Sequence, residues 1–335
     1  MAYISIDKSH LFANLTTLSL KAGSKDKLAV VLKDNAYGHG LDIVAKLCAE
    51  FGITKAVVRS LAEAEAIVSL FEDILVLNDR AIAHPKLRFA LNDMRSIEQA
   101  EAGARADLKI DTGMHRNGIA PENISEALLS IRKRNLKLVG MMTHFRSADV
   151  LSSEYFWQKK RFDALKEHIR ATVGSEVAFH SHNSAALLRC ESFDEDFARV
   201  GIAMYGYNEL PPIYDAPELK PVMSLWAERI ATLTLQKGRR IGYGGDFVAP
   251  RDMVVSTYDV GYGDGWRRGE SKYPYVTSEG KPILGRVSMD AMTLEGDAPE
   301  VCIFDNAQRA AKHFGTISYE IMTALSPLLR RIVKE

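Results

Sequence analysis

A lysine closes the apolar run LAVVL at residues 28 to 32, and the turn formers DNAYGHG follow it at once. The amine of Lys33 would project from a strand end, and in a semi-enclosed site such an amine loses its proton cheaply and forms a Schiff base with a carbonyl. Taken alone, a lysine capping a strand is usually just solvated, so this reading needs neighbours. One comes from ADLKIDTGMHRNG, where strand alternation puts Lys109 and Asp111 on one face and Leu108 and Ile110 on the other. In a barrel that would send charged groups into the lumen, and an inward lysine needs a partner. Cys48, Cys190 and Cys302 are odd in number and widely spaced, which suits neither zinc nor a disulfide framework; we expect three buried, inert thiols and no metal site.

These residues must be held by something regular. From Lys27 to about Gly206, short apolar runs alternate with stretches of helical period, the signature of βα units and a parallel sheet. Strands are expected at 28 to 32, 73 to 77, 106 to 110, 136 to 142 and around 197 to 203, with weaker candidates near Val57, Leu91 and Val177. Ser60 with Glu63, and Ser96 with Gln99, fit capping boxes, and Pro121 suits a first helical turn. Eight such units would close a barrel, yet periodicity alone leaves an open doubly wound sheet standing, although no glycine-rich dinucleotide fingerprint follows any strand. Beyond Leu219 the texture changes to short runs, RIATLTLQ, DMVVSTYDV, YPYVTSEGKPILGRVSM and EVCIF, broken by glycine and charged turns. The expected division is 1 to 220 and a β-rich 221 to 335, with the opening strand (about 1 to 8) free to pair with the second part.

The 335 residues carry 43 basic and 43 acidic side chains, so no general pull draws the chain to nucleic acid or an anionic membrane. The start lacks a secretory core, no later apolar run approaches spanning length, and a cytoplasmic protein acting on a small ligand is expected.

VVLKDNAYGHG closely resembles the cofactor segment of the bacterial alanine racemases. Further stretches resemble the same family in family order: 108 to 118, MTHFRSAD, HNSAALLR, RVGIAMYG, LKPVMSL, VGYGDGWRR, GRVSMD and ISYEI. The resemblance covers nearly the whole chain. It implies an N-terminal (β/α)8 TIM-type barrel and a mostly β C-terminal domain, working as a homodimer with shared active sites. The implied reaction interconverts L- and D-alanine on pyridoxal 5'-phosphate and supplies D-alanine for peptidoglycan.

By resemblance, Lys33 bonds to the cofactor and serves one face of the substrate, while Tyr243 of a second copy serves the other. Racemisation needs both faces, because a proton removed and returned on one side changes nothing. A free tyrosine titrates near 10, so its surroundings must supply about 3 to 4 kcal/mol to make it a working base. His144 and Arg199 are the matching residues for that polar chain and for the cofactor ring. Arg199 would face the pyridine nitrogen, keeping it unprotonated and weakening the cofactor as an electron sink. The phosphate would be held by Tyr37, Ser184, Tyr319 and the amides of Gly201 and Ile202, with Asn183 beside them. Arg116, Met289, Asp290 and Tyr262 would line the substrate end, and Lys109 would be carbamylated to orient Arg116. His39 reads as a packing or hydrogen-bonding residue rather than a base.

The sequence departs from the family at Asp34, Gly242, Gly263 and Leu328, and at Arg146 and Arg267; none removes a reacting group, but the entry channel and the strictness for alanine are put in question. A barrel-plus-β decarboxylase should show a glycine-rich phosphate loop and a C-terminal cysteine in an acidic motif, and neither is found. A non-catalytic cofactor carrier would need no second base and no residues 221 to 335.

Overall fold

The computed structural model describes residues 1–173 and 176–335. Sixteen strands are formed by the described residues: β1 (Tyr3–Asp7), β2 (Leu28–Val31), β3 (Lys55–Val58), β4 (Asp73–Val76), β5 (Leu87–Leu91), β6 (Arg105–Lys109), β7 (Lys137–Met142), β8 (Ala178–His180), β9 (Ala198–Val200), β10 (Met223–Leu235), β11 (Arg240–Ile241), β12 (Phe247–Val248), β13 (Met253–Tyr258), β14 (Met292–Glu295), β15 (Glu300–Phe304) and β16 (Arg330–Lys334). Eight of them, in the order β8-β7-β6-β5-β4-β3-β2-β9, form one wholly parallel sheet. The ends of that order meet where the Arg199 N–H donates to the His182 carbonyl at 2.9 Å, so the sheet closes into a nearly complete barrel. A parallel sheet is covered on both faces, which is why β2 and β5 are buried at every position.

The weak strand candidates near Val57, Leu91 and Val177 are β3, β5 and β8. Their shortness, four, five and three residues, is what hid them from periodicity. Ser60 and Glu63 do form a reciprocal capping box. The second expected box is corrected: Asp93 caps the helix Met94–Gln99 and Ser96 returns the bond, so the helix starts three residues earlier than Ser96 suggested. An aspartate satisfies the orphan N–H groups as well as a serine does.

The chain separates into two compact units. The barrel unit comprises Phe12–Ala36 and Leu41–Lys220, and the other comprises Met1–Leu11, Tyr37–Gly40 and Pro221–Glu335. In the second unit the sheet runs β14-β13-β10-β1-β16, with β15 also on β10. β1 pairs antiparallel with β10 and parallel with β16, alternating inward Ile4 and Ile6 with outward neighbours. The stretch from Tyr273 to Met289, expected as strand, is mostly turns with isolated bridges, because Pro282 and glycines at 280 and 285 interrupt the ladder. Within this unit Gly38 sits at φ 82° under the Met322 carbonyl, where any Cβ would collide, and its own carbonyl accepts from Arg331 at 2.9 Å.

Candidate active site

Lys33 leaves β2 into a left-handed turn in which Asp34, Asn35, Ala36 and Tyr37 all have φ between 52° and 55°. Four successive L-residues in that region are costly, and such strain persists where the surroundings over-determine it, most often at functional sites. Glu63 accepts the Asp34 N–H at 2.7 Å, and Asn35 accepts the Leu41 N–H at 2.8 Å. The Asp34 carboxylate pairs with Arg59 at 2.7 Å, which accounts for one departure from the family pattern.

The barrel brings Lys33, Lys109, Arg116, His144 and Arg199 into electrostatic contact. Burial first, then Arg116 and Arg199, push the Lys109 amine down to about 8. Burial and the cations Arg199, Arg116, Lys109 and Lys33 push His144 down to about 3, so its imidazole is neutral at pH 7. Lys109 is only 6% exposed and donates to Asn117, whose own amide reaches Asn92 at 3.0 Å. Four cations converge here, with Asp111 the acid felt by Lys109.

Arg199, buried on β9, is held by donating to His180 Nδ1 at 2.7 Å, the His180 carbonyl at 2.5 Å and the Thr143 carbonyl at 2.7 Å. Burial lowers it to about 10, still charged at neutral pH. A guanidinium only donates and a carboxylate only accepts, so His180 must carry its proton on Nε2, which donates to Asp107 at 2.8 Å. Asp107 in turn accepts twice from Arg88 at 2.5 Å. Sequence reading missed this chain, although alternation in ADLKI puts Asp107 on the face of Lys109. Gly140 belongs to it, since a Cβ there would overlap Asp107 and Arg88.

Asn183 caps the helix Ser184–Arg189 by accepting the Ala186 N–H, and buried Ser184 Oγ accepts N–H bonds from Gly201 at 3.0 Å and Ala203 at 3.3 Å; Ile202 lies buried between them. In the other unit, Tyr37 and Tyr319 meet with ring centroids 5.6 Å apart. His39 is fully buried, with Nδ1 3.2 Å from the Tyr37 carbonyl, as expected of a packing residue. Cys190 is half-buried, which corrects the expectation of three buried thiols; Cys48 and Cys302 are the buried ones.

The remaining site residues of that unit are exposed: Tyr243 by 65%, Met289 by 56% and Tyr262 by 43%. Tyr243 stands among Gly242, Gly244 and Gly245, all with positive φ, over a cavity of ≈ 360 Å³ lined also by Thr257, Arg286, Ser288 and Thr293. Met289 and Asp290 pack on the Tyr262 turn, where the Gly263 N–H donates to the Met289 carbonyl at 2.8 Å. Of the departures, Arg146 pairs with Glu154 and donates to the Gly113 carbonyl at 2.9 Å, Arg267 pairs with Glu320, and Leu328 is 93% exposed.

A parallel eight-stranded barrel carrying a lysine on a strained turn beside a cluster of cations, together with a mostly antiparallel β unit, is a build found among amino-acid racemases, a class of isomerases. Residues 6–209 match the family model for the alanine racemase N-terminal domain and residues 222–333 that for its C-terminal domain; the chain belongs to the alanine racemase family. It is 48% identical over 337 residues to an alanine racemase of Nitratiruptor sp., covering 99% of each chain. It is 42% identical to one of Campylobacter jejuni, covering 99% of this chain and 100% of that one. Among solved structures, an alanine racemase of Bacillus anthracis with bound L-Ala-P matches at a TM-score of 0.89 and 27% identity, covering 100% of this chain and 95% of that one. A histidine racemase from Leuconostoc mesenteroides matches at 0.87 and 26%, covering 100% and 98%, so this fold serves more than one amino acid. No helix among the described residues is long and apolar enough to cross a membrane.

Proposed function

We propose that this chain racemises alanine with pyridoxal 5'-phosphate, and that Lys33 and Tyr243 are its two proton carriers. The observation that carries the proposal is the convergence of Lys33, Lys109, Arg116 and Arg199 around a neutral imidazole, an excess of positive charge suited to a phosphorylated cofactor and an amino-acid carboxylate. The donor set fits that cofactor: an amine, a serine hydroxyl flanked by backbone amides, and a buried guanidinium. Pyridoxal phosphate, when bound, supplies the electron sink that makes the proton on Cα removable.

Lys33 would hold the cofactor and exchange a proton at Cα through Nζ on one face. Tyr243 of a second copy would exchange one through Oη on the other, which fits its exposure in the single chain. Tyr37, Asn183, Ser184, Tyr319 and the amides of Gly201 and Ile202 would seat the phosphate. Arg199 would present a fixed guanidinium to the ring nitrogen. Arg116 would take the substrate carboxylate, and Met289, Asp290 and Tyr262 of the second copy would narrow the substrate end to a methyl group. With its amine near 8, about one Lys109 in ten is neutral at pH 7 and open to carbon dioxide; the carbamate would offset the surrounding cations and orient Arg116. The three free thiols agree with a reducing cytoplasm, where the D-alanine made would serve peptidoglycan.

Two variants test the assignment. Lys33→Ala should lose both the bound cofactor's long-wavelength absorbance and all racemisation, whereas Tyr243→Phe should keep the absorbance and lose turnover by at least about a hundredfold. Mixed dimers of the two should regain activity through one intact site. Full activity in Tyr243→Phe refutes the second base, and silent but verified mixed dimers refute the shared site.

A further inference from the structure

The loop that carries Arg116 is closed at its base by its own backbone and held at its tip by another element. At the base, the Asp111 N–H donates to the Ile119 carbonyl at 2.9 Å and the Ile119 N–H to the Lys109 carbonyl at 2.8 Å. Asp111 then turns the chain, accepting from the Gly113 N–H at 2.9 Å and the His115 N–H at 3.0 Å, with His115 left-handed at φ 54°. The tip rests on the first two turns of the helix Glu154–Val173. Glu154, Trp157, Gln158 and Arg161 recur there at the spacing that shares one helix face. Arg161 donates to the Thr112 carbonyl at 3.4 Å and lies over the Trp157 ring, which closes on Gly113 so tightly that a Cβ would sit 2.5 Å from it. Fully buried Gln158 accepts the Arg146 N–H at 3.0 Å and donates to the His144 carbonyl at 3.3 Å. Arg146 completes the grip: one arm of its guanidinium donates to the Gly113 carbonyl at 2.9 Å and the other pairs with Glu154.

We propose that Arg146 is a positioning residue that pins the Arg116 loop to the helix Glu154–Val173 and so sets the affinity for the substrate carboxylate. This rests on the reading that Arg116 takes that carboxylate. The ion pair of Arg146 with Glu154, their side chains 38% and 41% exposed, adds little stability by itself. Its effect is to aim the other arm at the Gly113 carbonyl, three residues before Arg116. A cation fixed before the substrate arrives need not be ordered on binding, which is how preorganisation gains affinity. The carboxylate of alanine is unchanged as the Cα proton moves, so a looser Arg116 weakens ground state and transition state alike, and the loss falls on KM rather than kcat. The departure from the family at 146 thus acts on substrate affinity and not on a reacting group.

Arg146→Met keeps an apolar stem and removes the donors. In the cofactor-loaded enzyme it should raise the KM for L-alanine about tenfold, the loss of one charge-assisted bond, with kcat within about twofold and the cofactor absorbance unchanged. Arg146→Lys, which keeps a charged donor, should return KM to within about threefold of the natural value. Hydrogen exchange followed by mass, which needs no activity, should quicken about tenfold in the peptide spanning residues 112 to 117 of Arg146→Met. Unchanged exchange overturns the clamp whatever the substrate is. Faster exchange with an unmoved KM overturns its link to the carboxylate, whereas a natural protein inert toward alanine overturns the assigned reaction and leaves exchange to decide the clamp.

Discussion

Asp107→Asn removes one charge from the centre of the barrel and leaves the shape nearly unchanged. Asp107 is fully buried, and Arg88, whose side chain is 5% exposed, gives it two hydrogen bonds at 2.5 Å. Burial opposes the charge on Asp107, but Arg88 and the His180 bond overcome it and hold the carboxyl well below its usual range, while Asp107 pushes Arg88 up. Without the carboxylate, Arg88 keeps Asp73 at 2.9 Å and the Val139 carbonyl at 3.2 Å. Deleting one partner of a buried pair costs about 3 to 5 kcal/mol; the surviving Asp73 pair returns part of it, so about 2 to 4 kcal/mol of stability should be lost. Urea unfolding followed by circular dichroism at pH 7 measures this directly. Replacing both ends, Arg88→Met with Asp107→Asn, should recover at least about half of the loss, since no buried charge is then left alone. A change below about 0.5 kcal/mol in Asp107→Asn, or a double variant no better than the single, would refute the claim that this pair braces the barrel beneath Arg199.

Against burial, Cys190 and then Glu195 raise His182, while His182 lowers buried Glu195, and together these shifts set a pH window. His182 is raised to about 9 from an ordinary 6.5, so its contribution is complete below 6.5 and is lost as pH rises through 9; Glu195 is lowered to about 2 from 4.5, so its contribution is complete above 4.5 and is lost as pH falls through 2. Stability measured by urea should therefore fall from pH 6.5 to 8, with a slope of up to about 1.4 kcal/mol per pH unit, and His182→Gln should flatten that slope. Lys109, lowered to about 8, acts in the opposite sense only above that pH. Gly38→Ala should cost about 1 to 3 kcal/mol in the thermal unfolding of the β unit, because the added methyl meets the Met322 carbonyl and the backbone is left-handed; an unchanged midpoint would remove the glycine from the account.

The motifs in this sequence are dense, and most of the proposed site residues were reached through stretches that resemble the family, each set at a strand end or turn. Lys33, at the end of β2, stood out from its local pattern, whereas Arg199 on β9 and Ser184 at a helix start were reached only through the family resemblance. Long-range charge pairing was not legible. Arg88, Asp107 and His180 come from three strands up to 92 positions apart, and no local rule couples them until the barrel closes. His182 Nδ1 meets the buried Glu195 carboxylate at 3.0 Å across the connection between β8 and β9, a 13-residue spacing that fits no local rule, so this dyad was hidden too. The strands near Val57, Leu91 and Val177 were faint because a buried parallel strand of a few residues has no polar face to alternate with. The segment from Tyr273 to Met289 misled in the other direction, since its apolar residues pack without forming a ladder.

The central claim is that this chain moves the proton on alanine's Cα from one face to the other. Purified protein loaded with pyridoxal 5'-phosphate and given L-alanine in deuterium oxide should produce D-alanine until the enantiomers are equal, with deuterium entering Cα, as chiral chromatography with mass detection reads. Alanine that keeps both its handedness and its Cα hydrogen, under conditions where the cofactor is bound, would contradict it.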